Sequence, residues 1–155
     1  MLRRRGRSIL SDEPLGSITG LFATIEGSGR LVLGAPETLS SMVTTIDGEP
    51  FYVREARLIG FDGSVEHEAG RLPLGEGEYS GLVHLSGAGF VVFAVRGRIS
   101  GLEVSSDRPV QVRSDRLIGW AGRLLAHPVA QDEAPAQIRG LVSLSGAGTV
   151  LFDGG

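Results

Sequence analysis

Residues 140–152 form the stretch Gly140-Leu-Val-Ser-Leu-Ser-Gly-Ala-Gly-Thr-Val-Leu-Phe152, and the chain carries it in three versions. A nearly identical version is Gly81-Leu-Val-His-Leu-Ser-Gly-Ala-Gly-Phe-Val-Val-Phe93, and a looser one begins at Gly20. The Gly-x-Gly turns lie at 27–29, 87–89 and 146–148, so they recur after 60 and then 59 residues. A recurrence of this period is typical of a fold built from repeated units.

A second block repeats with the same spacing. Pro50-Phe-Tyr-Val-Arg-Glu-Ala-Arg-Leu-Ile-Gly-Phe-Asp-Gly63 returns at 109–122, and 109 − 50 gives an offset of 59 residues. Phe61 then corresponds to Trp120. We therefore expect copies over about 17–76 and 77–136 with a partial copy at 137–155. Residues 20–62 and 81–121 are expected to form equivalent strands, with the partial copy pairing with them.

The repeated stretches carry the pattern of β-strands. Apolar and polar residues alternate before each glycine turn, as in Val83, His84 and Leu85, and a β-rich run such as Phe90-Val-Val-Phe93 follows. Alternation with period two predicts half-buried strands. Because glycine reaches positive φ without strain, each turn is predicted to close a hairpin. The sequence thus predicts an all-β fold, a pseudo-symmetric antiparallel β-sandwich or jelly-roll-like barrel of repeats about 60 residues long.

Length and composition limit the domain organisation and the location. A chain of 155 residues fits one domain, predicted at 17–155, behind a flexible basic tail at 1–16. The tail lacks the apolar run of a signal peptide, and no stretch approaches the 18 apolar residues of a membrane span. Cysteine is absent, which favours a reducing compartment. The sequence therefore predicts a cytoplasmic protein without a membrane span.

Leu117-Ile-Gly-Trp-Ala121 and Ser145-Gly-Ala-Gly-Thr-Val-Leu151 resemble motifs of the Aim-type mitochondrial biogenesis proteins and their bacterial relatives. The resemblance spans about residues 17–152. Proteins of that type are similar in fold to the tryptophan RNA-binding attenuation protein, a jelly-roll-like sandwich that assembles into rings. The resemblance implies this fold and a homo-oligomer, and it brings no catalytic residues.

Residues suited to catalysis or cofactor binding are few. Each glycine turn opens a strand, whereas a phosphate-binding loop opens a helix. His67, His84 and His127 are dispersed, and no Gly-x-Ser-x-Gly motif marks a nucleophile. His67 is predicted in a solvated charged loop, His84 on the surface, and His127 in a structural turn. The sequence predicts no catalytic residue, no metal site and no cofactor.

Four arginines recur at equivalent positions, Arg54 with Arg113 and Arg57 with Arg116. Together they would form a basic patch for RNA or an acidic ligand. Interleaved acidic residues, a net charge of −3 and a pI of about 5.6 instead favour surface ion pairs and make nucleic acid an improbable partner.

Three functional hypotheses follow. The preferred one is a non-enzymatic binding or assembly module, a homo-oligomer with a protein as its further candidate partner. The alternatives are an RNA- or anion-binding protein that uses the four arginines, and a cupin-like metalloenzyme.

Overall fold

The chain folds almost entirely into antiparallel strands. In this computed structural model the structure describes residues 37–130 and 140–154, together with 3–4, 7–8, 10–14, 21–23, 25–28, 30 and 32. No α-helix occurs in these ranges, and η1 (Glu55–Arg57) is a single 3₁₀ turn. The strands are β1 (Arg3–Arg4), β2 (Arg7–Ser8), β3 (Leu10–Pro14), β4 (Leu21–Ala23), β5 (Ser40–Asp47), β6 (Phe51–Arg54), β7 (Leu58–Phe61), β8 (Glu66–Gly75), β9 (Glu78–Ser86), β10 (Ala88–Val95), β11 (Arg98–Val104), β12 (Val110–Arg113), β13 (Leu117–Pro128) and β14 (Leu141–Gly154).

Two of the sheets form the body of the protein. One has the strand order β5-β10-β7, and the other runs β11-β14-β13-β6-β9-β8, with β12 pairing onto β14. The pairs β1–β2 and β3–β4 form two further small sheets. No sheet closes on itself among the described strands, so the predicted all-β sandwich is confirmed in an open form. The predicted tail, 1–16, is described only at β1 to β3, and its flexibility stays a prediction.

The strand registers repeat as predicted where 50–63 and 81–93 correspond to 109–122 and 140–152, whereas most of 20–36 lies outside the described residues. In the β6–β9 ladder Phe51 pairs with Leu85 and Val53 with Val83. Adding 59 to each number gives Val110 with Leu144 and Val112 with Val142, which are pairs of the β12–β14 ladder. Equivalent strands therefore make equivalent ladders.

The other ladders repeat in the same way. Val91 pairs with Phe61 on β10 and β7, and Val150 pairs with Trp120 on β14 and β13. Both ladders contain a register shift beside these pairs. The offset is 58 residues, and not 59, only between β5 and β11, because the ladder of β5 begins at Ser40 and that of β11 begins at Arg98. Phe61 and Trp120 therefore occupy matching positions, as predicted.

These ladders define two structural units, the first at 40–95 and the second at 98–154. The strands of the first unit belong to two sheets, whereas those of the second unit all belong to the larger sheet. The copies predicted from the sequence, about 17–76 and 77–136, begin and end at other residues than these units. The larger sheet is continuous through both units because β13 of the second unit pairs with β6 of the first. β14 pairs with β11, β12 and β13, so the predicted pairing of residues 140–152 with earlier strands is confirmed.

Two hydrophobic cores lie on opposite faces of the larger sheet. The first contains Phe51 and Val53 of β6 beside Val91 and Phe93 of β10. The second contains Trp120 of β13 with residues of β12 and β14, and Tyr52 packs against it from β6. Neighbouring residues of β6 therefore serve different cores, as the alternation of side chains along a strand requires. The strand β6 is buried on one face and half-buried on the other.

The predicted glycine hairpins are wrong in the two copies that the structure describes. β9 pairs with β6 and β8, whereas β10 pairs with β5 and β7, so the chain bends at Gly87 from one sheet into the other. In the second unit the equivalent bend at Gly146 lies inside the continuous strand β14. Their φ angles are +92° and +120°, which glycine adopts without strain. Part of the first copy, including Gly29, lies outside the described residues.

The two units meet along β6 and β13. Val53, Tyr52 and Phe51 pair with Gly119, Trp120 and Ala121, and the Gly122 N–H donates to the Pro50 carbonyl at 2.8 Å. A Cβ at Gly119 would overlap the Tyr52 carbonyl and lie 2.9 Å from the Val53 Cα. The strands approach this closely only because residue 119 has no side chain.

Gly119→Ala is expected to lower the free energy of unfolding by about 1–3 kcal/mol, since its Cβ must displace the β6 backbone. Gly63→Ala is the matched control, because a Cβ there meets nothing within 4 Å. Urea unfolding of both variants checks the expectation. Equal stability of the two variants would show that the joint tolerates a side chain.

Candidate functional site

The predicted arginines of the first unit lie in the joint with the second. Arg57 is buried, with 8% of its surface exposed, and its Nη2 donates to Asp153 Oδ2 at 2.5 Å. Asp153 of β14 is also buried, and its Oδ1 accepts the Arg96 N–H at 2.6 Å. The prediction that the arginines form surface ion pairs is therefore wrong for Arg57. Its charge is balanced inside the protein by a residue 96 positions later.

Arg54 also crosses the joint. Its Nη1 donates to the Ser114 carbonyl of the second unit, and its Nη2 donates to Ser80 Oγ at 3.1 Å. Burial lowers the pKa of Arg54, and the nearby charge of Arg57 lowers it further, while Asp115 opposes both effects. Arg54 is thus committed to contacts within the protein.

The equivalent arginines of the second unit are exposed. Arg113 makes an ion pair with Asp115, with Nε–Oδ1 and Nη2–Oδ2 distances of 3.0 and 2.8 Å. Slight burial would raise the pKa of Asp115, but the hydrogen bonds and charge of Arg113 lower it overall. Arg116 is 3.4 Å from the Asp153 carbonyl through Nη1. The four arginines therefore lie around one joint, where Arg57 is buried, Arg54 is half-buried, and Arg113 and Arg116 are exposed.

The edge of β12 marks the difference between the two units. β6 pairs with β9 on one edge and β13 on the other. Its equivalent β12 pairs with β14 on the first edge, and no ladder covers the second edge in the part of the chain that the structure describes. The open edge of β12 therefore corresponds to the edge of β6 that holds the two units together.

The groups on this edge follow from strand geometry. Successive residues of an antiparallel strand direct their N–H and C=O groups to opposite sides. The Pro50 carbonyl accepts a bond from β13, and the Tyr52 carbonyl faces Gly119. The backbone N–H and C=O of Tyr52 therefore point toward β13. The same groups of its equivalent, Gln111, point toward the open edge of β12.

Side chains around the two edges also differ. In the first unit Tyr52 stacks on His84 and on Trp120, with ring centroids 4.6 and 5.1 Å apart. The equivalents of Tyr52 and His84 in the second unit are Gln111, which is exposed, and Ser143. The covered edge carries aromatic side chains, and the open one carries polar side chains.

The histidines do not converge on a site. His84 is half-buried in the aromatic stack and 30% of its side chain is exposed, so its predicted surface position is confirmed only in part. His67 and His127 are exposed as part of β8 and β13 and not of a loop or turn. Within the described ranges no three His, Cys, Asp or Glu side chains are grouped to hold a metal ion.

Two concave regions lie on the described surface. A groove of about 670 Å³ lies between the β8–β9 turn, which carries Glu76 and Glu78, and the segment 128–130. A smaller groove of about 340 Å³ lies beside β11, and Glu103 and Arg108 are among the residues that line it. In the described residues no helix has the length and hydrophobicity needed to cross a membrane.

Sequence reasoning missed the open edge and Asp153. The repeat makes β6 and β12 look alike, and whether an edge is covered depends on what lies beside it. The sequence signal for the edge was the change from Tyr52 and His84 to Gln111 and Ser143 at the same repeat positions. Asp153 replaces Ala94, the equivalent residue of the first unit, and this difference marked a position with a special role.

Comparisons with known proteins indicate a fold and no activity. The chain is similar to the crystal structure of protein SPYM3_0169 from Streptococcus pyogenes, with a TM-score of 0.60 and 11% sequence identity over 74% of this chain. The match covers 54% of that protein, so this chain spans about half its length. No family model and no curated protein matches the chain. The resemblance to the Aim-type proteins stays a prediction.

Arg57→Met or Asp153→Leu alone is expected to destabilise the protein by about 3–5 kcal/mol, because each leaves a buried charge without its partner. The double variant is expected to lose less than the sum, although it also leaves the Arg96 N–H without an acceptor. Arg113→Ala, which breaks an exposed pair, is the control and changes stability by about 0–1 kcal/mol. Chemical denaturation of these four variants beside the wild type tests this expectation. Additive losses of unfolding free energy in the double variant would show that the two charges act independently.

Proposed function

We propose that this protein is a non-enzymatic assembly module that works as a homo-oligomer through its sheet edge. The carrying observation is the outer edge of β12, Val110–Arg113, which no described strand covers. Unpaired N–H and C=O groups on such an edge favour pairing with another chain. The equivalent edge of β6 is paired inside this protein.

The surroundings of the edge support an assembly role. Val112 is buried and Val110 is half-buried, so the strand has an apolar inner face in contact with the second core. Its outward-facing Gln111 is uncharged, and charge within β12 is confined to Arg113 at its end. A neutral, ordered edge is a better template for strand pairing than one guarded by inward-pointing charges.

The alternative, binding of RNA or a small anion, rests on Arg113 and Arg116, because Arg54 and Arg57 are committed to the joint. Arg113 is already paired with Asp115. Salt-dependent binding of a labelled RNA that is lost in Arg116→Gln would favour this alternative. A stoichiometric metal in the purified protein would favour the cupin-like enzyme.

The proposal predicts an oligomer in light scattering at micromolar concentration. Gln111→Pro removes the outward N–H without affecting the bonds of Val110 and Val112 to β14, so it is expected to shift the mass toward the monomer. Proline is tolerated on an edge strand where the N–H faces outward. Gln111→Ala keeps the N–H and is the matched control, expected to retain the mass of the wild type.

A wild-type protein that stays monomeric over this concentration range would overturn the proposal. A circular dichroism melt of each variant checks whether the proline leaves the fold intact.

A further inference from the structure

We infer that the open edge of β12 pairs with the same edge of a second copy of this chain, antiparallel and about a twofold axis at Gln111. This inference rests on the proposed function and names its partner and register. It is carried by the groups that the edge presents and by their order along the strand.

The hydrogen-bonding groups of the edge are self-complementary. By the alternation set out above, the outward groups are the Pro109 carbonyl, both backbone groups of Gln111, and the Arg113 N–H. With Gln111 opposite Gln111 of the second copy, each N–H of this residue meets the other carbonyl. The Arg113 N–H then meets the Pro109 carbonyl of the second copy, and the reverse pair forms by symmetry.

Proline at residue 109 is compatible with this register. A proline has no N–H, and in this arrangement its position supplies an acceptor only. In the first unit the equivalent carbonyl of Pro50 likewise accepts the Gly122 N–H across the joint. The second copy would thus use the edge in the same way as β13 uses the edge of β6.

The side chains agree with the backbone register. Val110 lies opposite Val112 of the second copy, on the face that packs on the second core. The half-buried Val110 would gain apolar cover there. On the other face, Gln111 lies opposite Gln111 of the second copy, and two such amides form hydrogen bonds with each other without a charge conflict.

Twofold pairing also closes the assembly. Each copy has one β12 edge, and an isologous contact uses it up, so growth through this edge ends at a dimer. A head-to-tail contact between unlike edges would instead continue into a ring or a filament. A discrete dimer therefore separates this arrangement from a head-to-tail contact, and cross-linking at residue 111 is needed to separate it from other twofold contacts.

Cysteine cross-linking tests the register, because the chain contains no cysteine of its own. In the twofold register the two copies of residue 111 have Cα atoms about 5.5 Å apart, within the range of a disulfide. Gln111→Cys is expected to give a covalent dimer on mild oxidation at low micromolar concentration, and no larger species.

Ser143→Cys is the matched control, because Ser143 pairs with Gln111 on the adjacent strand. The Cα atoms of residue 143 in the two copies would be about 15 Å apart, because each lies one strand spacing behind residue 111. This distance is too long for a disulfide. The control is expected to form at least tenfold less covalent dimer.

The outcomes separate the inference from the proposed function. A dimer by light scattering with efficient cross-linking at residue 111 supports both. An oligomer with no cross-link at residue 111, equal cross-linking of the control, or a ring of more than two copies overturns the twofold arrangement and leaves the assembly role standing. A monomeric wild type overturns both.

Discussion

The short ladder between β6 and β13 is the contact on which the arrangement of the two units depends. Only three residue pairs make it, yet it joins strands β6, β9 and β8 of the first unit to the sheet of the second, and a core lies on each face of this larger sheet. Beneath it Arg57 reaches Asp153, and Arg54 reaches the Ser114 carbonyl. The joint therefore combines backbone pairing, a close approach at a glycine and a buried ion pair.

The buried ion pair has a geometric role besides its charge. Arg57 belongs to the 3₁₀ turn of the first unit, and Asp153 belongs to the last strand of the second. Removal of two charges from water is costly, and their attraction and remaining hydrogen bonds offset that cost only in good geometry. The pair therefore favours one relative placement of the units over others in which Arg57 and Asp153 are apart.

Most of the fold could be predicted from the sequence, because the repeat constrains it. A constant offset forces equivalent apolar residues onto equivalent faces, since a slip of one residue would expose them all. This is why the ladder of Phe51 and Leu85 returns as that of Val110 and Leu144. The hairpins failed because positive φ at Gly87 allows a reversal within one sheet and a bend between two sheets equally well. Local conformation does not distinguish them.

The candidate site was less predictable, for a different physical reason. The repeat placed Arg54 with Arg113 and Arg57 with Arg116, but how far each arginine is buried depends on what lies beside its strand. Beside the covered edge of β6, Arg57 is buried and Arg54 is half-buried, whereas beside the open edge of β12 both Arg113 and Arg116 are exposed. That information is in the three-dimensional order of the units, and no local pattern contains it.

The exchange of Tyr52 and His84 for Gln111 and Ser143 has a consequence for how such a chain evolves. Duplication of one unit produces two copies that are identical, although one must be covered and the other must face water. Divergence at positions such as these distinguishes the two edges, while the backbone register of both units stays the same. A lineage that gained or lost a unit would have to revise the polarity of this small set of side chains. A change in the number of units would thus require substitutions at the edges that become covered or exposed.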